Sequence, residues 1–311
     1  MSNLEKFEIK EILNNYSIGN YKNHKLLFTA AKNVYKLTTS KGVFIVKVYG
    51  KEKIRSIKSQ TTLLKYLNSK KVSVPKIIST KSGDDLLTYK EKYIEIQEFV
   101  SGKKVLYVNK SLAADMGRKL GILSKALISY NHEVIGSDNN PQIIPPWKIN
   151  SLLDINLKTE TNELNQNIYN LNKDKLRKSI IHGDICEGNF LVKNNKISKI
   201  IDWEGSHKDY LVHEIAVPLA HNFTTKRSAK RDLIKIFLKE YQKYVKLNEE
   251  EKKALYFFIK HRGLGSCSWS IEQSFKHEDK KKMFMRWAEH CLKRYKSFSK
   301  ISLKEFIELA K

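Results

Sequence analysis

Two short segments hold the residue types best suited to chemistry: His182-Gly183-Asp184-Ile185-Cys186-Glu187-Gly188-Asn189 and Ile200-Ile201-Asp202-Trp203-Glu204. Asn189 follows Asp184 by five residues, and Asp202 follows Asn189 by thirteen. Phosphoryl transfer needs a carboxylate to accept the proton of an attacking hydroxyl. It also needs an amide oxygen and a second carboxylate to hold Mg2+ against nucleotide phosphates. A loop carrying Asp184 and Asn189, then a hairpin that brings Asp202 back, meets that need. Short apolar runs around Lys193-Asn194-Asn195 predict such a hairpin.

Other chemistries find less support. The chain has no G-x-S-x-G for an acyl nucleophile and no H-E-x-x-H, and His207, His213 and His221 lack metal spacing. Cys186, Cys267 and Cys291 stand far apart with no Cys-x-x-Cys, which argues against a disulfide framework or a structural zinc and suits a reducing cytoplasm. Cys186 reads as a packing thiol, since nothing near it in sequence forms a base arrangement.

The elements that must position these residues fall into two groups. Leu26 to Phe28, Val34 to Thr38 and Val43 to Tyr49 read as strands, with a glycine turn at Thr39-Ser40-Lys41-Gly42. Ile54, Ile57, Leu64 and Leu67 form a helical stripe that stops before Val74-Pro75. Leu86 to Tyr89 and Tyr93 to Val100 return to strand character and end at Ser101-Gly102. Beyond this point helices dominate. Leu112, Met116, Leu120, Leu123 and Leu127 make a stripe in which Gly117 and Gly121 permit close packing, and further stripes run from Leu233 to Tyr244 and from Met283 to Tyr295. Asn248 with Glu251 and Ser302 with Glu305 read as capping boxes, and Asn131 to Trp147, with three prolines, as a loop. The reading is an α+β chain, an antiparallel sheet with one helix followed by a mainly helical region.

The 311 residues carry 41% hydrophobic and 29% charged positions, enough for real cores and contrary to disorder. No apolar run approaches bilayer length, and no signal-peptide stretch opens the chain, so no membrane partner and a cytoplasmic location are expected. The balance of 58 basic against 33 acidic residues gives +25, which raises nucleic acid as a partner. Only eight of the basic residues are Arg, and the fifty Lys are spread along the chain without a basic tail, so a solvated lysine surface is the expectation.

The two segments resemble the aminoglycoside phosphotransferase and choline kinase superfamily, small-molecule relatives of protein kinases, whose loop reads H-G-D-x-x-x-x-N and whose metal motif reads I-D-W. The resemblance covers residues from about 26 to 225. It implies a bilobal protein-kinase-like fold, with an N-lobe over 1–96, a hinge over 97–102 and a helical C-lobe over 103–311. It implies Asp184 as base, His182 as a brace of the loop, and Asn189 and Asp202 as Mg2+ ligands. Lys47, on the strand Val43 to Val48 after Asn33-Val34-Tyr35, would grip the α and β phosphates of ATP, with GTP possible. Glu98 carbonyl and Val100 N–H would meet the adenine at the hinge, preceded by Gln97.

Three departures from the family pattern stand out. The nucleotide loop Phe28 to Asn33 has no glycine, so Thr29 and the following N–H groups are expected to substitute. Gln60 stands where the family's helix carries the glutamate that pairs with the strand lysine. Glu214-Ile215-Ala216 replaces Asp-Leu-Ala. The implied reaction moves the γ-phosphoryl of ATP to a hydroxyl of a small molecule. An aminoglycoside-type antibiotic is the first candidate, a choline, homoserine or other metabolite kinase the alternative, and a non-catalytic spore-coat-type relative the reading of another class. The acceptor is expected to be cationic and to be received by acids drawn from Asp154, Glu160, Glu163, Glu204 and Glu272, with Trp269 beside them.

Overall fold

In the computed structural model, residues 4–29, 32–105, 107–134 and 156–311 are described. The first strands follow the alternation of the sequence. In β2 (Asn33–Thr39) every second residue is buried, and β1 (Tyr21–Thr29) and β3 (Gly42–Gly50) flank it on either side. With β4 (Leu87–Tyr89) and β5 (Lys92–Glu98) they form an antiparallel sheet ordered β1-β2-β3-β5-β4. The register sets Lys47 of β3 opposite Val34 of β2 on one side and Glu95 of β5 on the other.

A helix not anticipated from the sequence, α1 (Lys6–Leu13), packs on this sheet. Its buried Ile9, Ile12 and Leu13 join Tyr35, Leu37, Val46, Val48, Ile94 and Ile96 in one apolar cluster. A capping box between Glu5 and Glu8 starts it, so the usual Ser, Thr, Asp or Asn signal is missing. The expected helix α2 (Ile54–Ser69) behaves differently. Leu63, Leu64 and Leu67 belong to the larger core shared with the C-terminal helices, so α2 ties the sheet region to the rest of the chain.

The C-terminal region matches the helical reading. Asn109 caps α3 (Lys110–Ile128) by accepting from Leu112 N–H at 2.9 Å. Beyond the residues not described lies α4 (Asn156–Tyr169), and the expected loop from Asn131 falls outside the described residues from 135 to 155. Strand β6 (Lys103–Lys104) pairs with β8 (Phe190–Lys193), which makes the predicted hairpin with β9 (Lys196–Ile200). Asn194 and Asn195 both take positive φ, 51° and 59°, the turn geometry that asparagine tolerates best after glycine. The run before the hairpin does not join it. As β7 (Lys178–Ile181) it pairs with β10 (His207–Tyr210), and the loop between β7 and β8 hangs over that ladder.

Helices α5 (Leu211–His221), α6 (Arg231–Tyr241), α7 (Glu249–Lys276), α8 (Lys281–Phe298) and α9 (Leu303–Leu309) complete the fold. Both capping atoms expected of Asn248 and Glu251 are engaged at the start of α7, whereas at α9 Ser302 accepts from Glu305 N–H. The chain is thus α+β, an antiparallel sheet region followed by a helical one. No helix among the described residues is long and apolar enough to cross a membrane.

Gly117 and Gly121 let α3 and α6 meet backbone to backbone: a Cβ on Gly117 would stand 2.3 Å from the Phe237 carbonyl oxygen. A main-chain atom cannot swing aside as a side chain can. Gly117→Ala should therefore destabilise the protein by about 1–3 kcal/mol, read as a lower urea midpoint at unchanged slope. An unchanged midpoint would show that the helices are free to separate.

Candidate functional site

The loop from His182 to Asn189 is held from below and from both ends. Glu214, fully buried on α5, accepts the N–H groups of His182 at 3.0 Å and Gly183 at 3.1 Å. Burial, the largest influence, raises its carboxyl above the usual range, although His182 and the two amide bonds pull the other way. Asp184 N–H donates to His182 Nδ1 at 3.3 Å, which leaves Nε2–H to donate to the Ile201 carbonyl at 2.9 Å. The imidazole also meets the Trp203 ring edge-on, with centroids 4.7 Å apart. His182 therefore joins the loop to the Asp202 turn. Gly183 takes φ +76°, and a Cβ there would lie 2.6 Å from His207 Cε1, so glycine is required for conformation and for space. Asn189 Nδ2 donates to Asp184 O at 2.8 Å and to Asp184 Oδ2 at 3.1 Å, which turns the amide oxygen of Asn189 away from the carboxylate.

The Asp202 turn is anchored by Trp203, whose Nε1–H donates to Ile200 O at 2.9 Å from a fully buried position. Asp202 itself adopts φ 68°, ψ 64°, a left-handed conformation that aspartate accepts more readily than most residues. Three donors from the sheet region converge on one oxygen of Glu204: Lys47 Nζ at 2.6 Å, Lys32 Nζ at 2.6 Å and the Tyr49 hydroxyl at 2.9 Å. Lys32 also reaches Asp202 Oδ1 at 2.7 Å. Burial works against the Glu204 charge, but Lys47 and Lys32 outweigh it and hold the carboxyl well below its ordinary value. For Lys47 burial likewise opposes the charge, and Glu204, Glu95 and Asp202 together keep the ammonium above its ordinary value.

A divalent cation fits this donor set. Glu204 Oε2 is buried without a partner among the described residues, Asp202 already draws the Lys32 ammonium, and the Asn189 amide is turned so that its oxygen is the group left to coordinate. Such a set of one or two carboxylates and an amide oxygen matches the needs of Mg2+, which completes its shell with water and phosphate.

Lys47 finds a different partner from the one expected. Gln60 is buried on α2, but neither amide atom has a partner among the described residues, and it makes no bond to Lys47. The carboxylate facing Lys47 from its own sheet is Glu95, fully buried and held by Gln97 Nε2 at 2.5 Å, with the Thr61 hydroxyl 3.0 Å away. In the run Lys92–Glu98 the polar Glu95 and Gln97 alternate with Ile94 and Ile96, a signal that one face of β5 meets a charged neighbour. Gln97 thus points toward Glu95. Glu98 uses its carboxylate for Lys199 at 2.7 Å and Lys76 N–H at 3.1 Å, Val100 is half-buried, and Thr29 is exposed at the end of β1. Lys32 extends from the glycine-free loop to the carboxylates, and nothing in the sequence marks it among fifty lysines.

A cavity of about 570 Å³ beside the loop is bordered by Asp184, Glu187, His221, Arg262, Trp269 and Trp287. Arg262, midway along α7, donates to Asp184 Oδ1 at 2.5 Å and leans on His221 Nε2 at 3.3 Å. Burial first, then Arg262 and Arg294, hold His221 well below its ordinary value and so neutral. Cys186 borders the cavity too, but burial and then Asp184 push its thiol up to about 11, in keeping with a packing role. The acids expected to gather here do not assemble among the described residues. Glu204 faces Lys47, Glu160 accepts from the Tyr295 hydroxyl, Glu272 pairs with Lys276, and Glu163 lies outside the cavity wall. Asp154 lies outside the described residues.

Residues 29–246 match the phosphotransferase enzyme family, APH. A homoserine kinase of Gluconobacter oxydans is 22% identical over 79% of this chain and 81% of its own length. Among solved structures, an amicoumacin kinase in complex with AMP-PNP, Ca2+ and Ami superposes with a TM-score of 0.71 at 17% identity, over 92% of this chain and 93% of its own. A microcompartment-associated aminopropanol kinase gives 0.68 at 16% identity, over 96% and 100%.

Two outcomes follow from the geometry. Glu214→Gln keeps one acceptor oxygen and sets an NH2 against the other amide, so stability should fall by about 1–3 kcal/mol. Amide exchange at His182 and Gly183 should quicken in step, and unchanged exchange would deny Glu214 its hold on the loop. Asp209, on β10 below the loop, accepts from His213 Nδ1 at 2.7 Å and lies 3.7 Å from His207. Burial would raise its carboxyl, but these imidazoles win and hold it far below the ordinary value. With the folded value below the unfolded one, its stabilisation is full above about pH 4 and is lost as pH falls through the depressed value. Asp209→Asn should lower stability at neutral pH and flatten the acid limb of a pH–stability curve. An unchanged acid limb would rule this out.

Proposed function

The chain belongs to the APH phosphotransferase enzyme family, and from that premise we propose that it moves the γ-phosphoryl of ATP to a hydroxyl of a small molecule seated in the cavity beside Asp184. One observation carries the reading. Asp184 borders the cavity, and Asn189 ties it to the Lys47–Glu204–Asp202 cluster by donating to Asp184 Oδ2 and accepting from Ile201 N–H, so phosphate and hydroxyl can meet at Asp184. In this reading Asp184 accepts the hydroxyl proton, with its carboxylate oriented by Arg262 and Asn189. Lys47 and Lys32 exchange their carboxylate partners for phosphate oxygens, and Lys32 takes the part the missing glycine would have played in the nucleotide loop. Asn189 and Asp202 would hold Mg2+, which neutralises charge on the phosphates. Glu95 stays with Lys47 as its structural partner, the role that Gln60 does not fill. The adenine would sit at the hinge against Glu98 carbonyl and Val100 N–H.

For the acceptor we place a compact hydroxy metabolite ahead of an aminoglycoside-type antibiotic. A polycation needs carboxylates left over for it, and in the described wall Asp184 is matched by Arg262 and Glu187 by Arg294. The homoserine kinase relatives favour the same order.

Nucleotide binding separates an enzyme from a non-catalytic relative, and two aspartate variants separate the roles. Asp184→Asn should lower turnover by about 10²-fold or more while the nucleotide Kd stays nearly the same. Asp202→Asn should weaken Mg2+-dependent nucleotide binding as well. Equal loss of nucleotide binding in both variants, or no binding to the native chain at millimolar nucleotide, would overturn the proposal.

A further inference from the structure

A second cavity, of about 590 Å³, adjoins the first, and Glu187 and His221 line both. It opens between Tyr107, the segment Thr224 to Lys230 joining α5 to α6, and the inner face of α8. Lys226, Arg227, Lys230 and Arg294 line it against the single carboxylate of Glu187. In a chain this rich in lysine, cations near a cavity mean little alone. Here two of the four are arginines, drawn from eight in the whole chain, and a third is a lysine partly withdrawn from water.

That lysine, Lys230, rests 4.1 Å over the Tyr107 ring, and Val108 O, 3.4 Å away, is its one hydrogen-bond acceptor among the described residues. Burial, and then Arg294, lower its ammonium from the ordinary value, as happens to a charge whose counter-charge is missing. No ion pair engages Lys226, Arg227 or Lys230 among the described residues, and Arg294 reaches Glu187 at a long 3.2 Å. The same wall holds a concentration of unsatisfied atoms. Arg294 Nε and His290 Nε2 are buried without a partner among the described residues, as are two acceptors of the same wall, Glu187 Oε2 and Asn222 Oδ1. Burial, with Arg294 and Lys226 next, lowers His290 to about 4, so it is neutral at pH 7 and adds no repulsion to an incoming cation. The wall nonetheless presents fixed positive charge and one idle donor, Arg294 Nε–H, the complement of an oxygen-bearing anion.

We propose that this second cavity receives an anionic group, a carboxylate or a phosphate, carried by the same acceptor whose hydroxyl meets Asp184; the second half of the statement rests on the phosphotransferase reading above. Glu187 lies three residues beyond Asp184 and borders both spaces, so a molecule with a hydroxyl at one end and an anion at the other spans them without leaving the wall. The protein's net charge of +25 works in the same direction, since its long-range field draws anions. A cationic acceptor would have to enter against it.

The test has two arms. In the first, the nucleotide site is saturated with Mg2+ and ADP, and inorganic phosphate and propionate are titrated while tryptophan fluorescence is followed. Trp287, stacked on His290 at 5.4 Å, reports on the cavity. Phosphate or propionate should bind the native chain at least ~10-fold tighter than Lys230→Met or Arg227→Met, the loss of one counter-charge being worth that factor. Arg227 is exposed, so its variant leaves the fold intact, and Lys22→Met, an exposed residue of β1, should bind like the native chain. Equal binding by all four proteins overturns the anion site, whereas failure of ADP itself to bind overturns the kinase reading and leaves the anion titration standing as its own measurement. In the second arm, matched acceptors are compared by ATP consumption: L-homoserine with 3-amino-1-propanol, which lacks only the carboxylate, and glycerol 3-phosphate with glycerol. A preference of at least ~10-fold in kcat/KM for the anionic member of either pair, lost through KM in Lys230→Met, supports the proposal and tells carboxylate from phosphate. Anion binding in the first arm with no preference in either pair would refute the claim that the anion belongs to the acceptor.

Discussion

The buried ammonium of Lys47 sets the relation between the sheet and the segments that carry Asp184 and Asp202. It rises from the middle of β3 between Glu95 of the neighbouring strand and Glu204 of the Asp202 turn, so one charge joins two regions 157 residues apart in sequence. Removing one member of such a group leaves a buried charge without compensation, at a cost of about 3–5 kcal/mol. Lys32 and Tyr49 crowd onto the same Glu204 oxygen, and the other oxygen remains without a partner among the described residues. The cluster therefore places two ammoniums among three carboxylates. Its imbalance favours one further cation, and its lysines are already gathered where phosphates would need them.

A second, quieter constraint fixes the loop that this cluster faces. Glu214 is buried beneath His182 and Gly183 and satisfies both of their amides, while His182 uses each ring nitrogen to bind a different part of the site. Glu214 thus supports the loop through main-chain amides alone, while His182 links it to the Asp202 turn.

In the cavities beside the loop, charge matching decides the character of the wall. Each carboxylate in the described wall has an arginine, and the cations of the adjoining cavity outnumber its one carboxylate. Resemblance alone pointed to a cationic acceptor. Of the acids on which that expectation rested, Glu204, Glu160 and Glu272 turn to Lys47, Tyr295 and Lys276 instead.

What the sequence determined by itself is local. Spacing in His182 to Asp202 carries the loop and the hairpin, Asn194-Asn195 its turn, Gly117 and Gly121 a helix crossing, and Asn248 with Glu251 a helix start, because turn chemistry, capping and backbone clearance act between residues a few positions apart. The short helix α1 escaped notice since its cap is a glutamate and two turns hold too few apolar residues to display a period. Only the tertiary structure decided which charges meet. Glu95 faces Lys47 because β5 enters the sheet beside β3, Arg262 reaches Asp184 across 78 residues, and Gln60 has no partner among the described residues although its position in the helix is the expected one. A charged side chain announces its charge in the sequence, but its partner is chosen by how distant segments pack. That choice follows from the summed burial of the whole core.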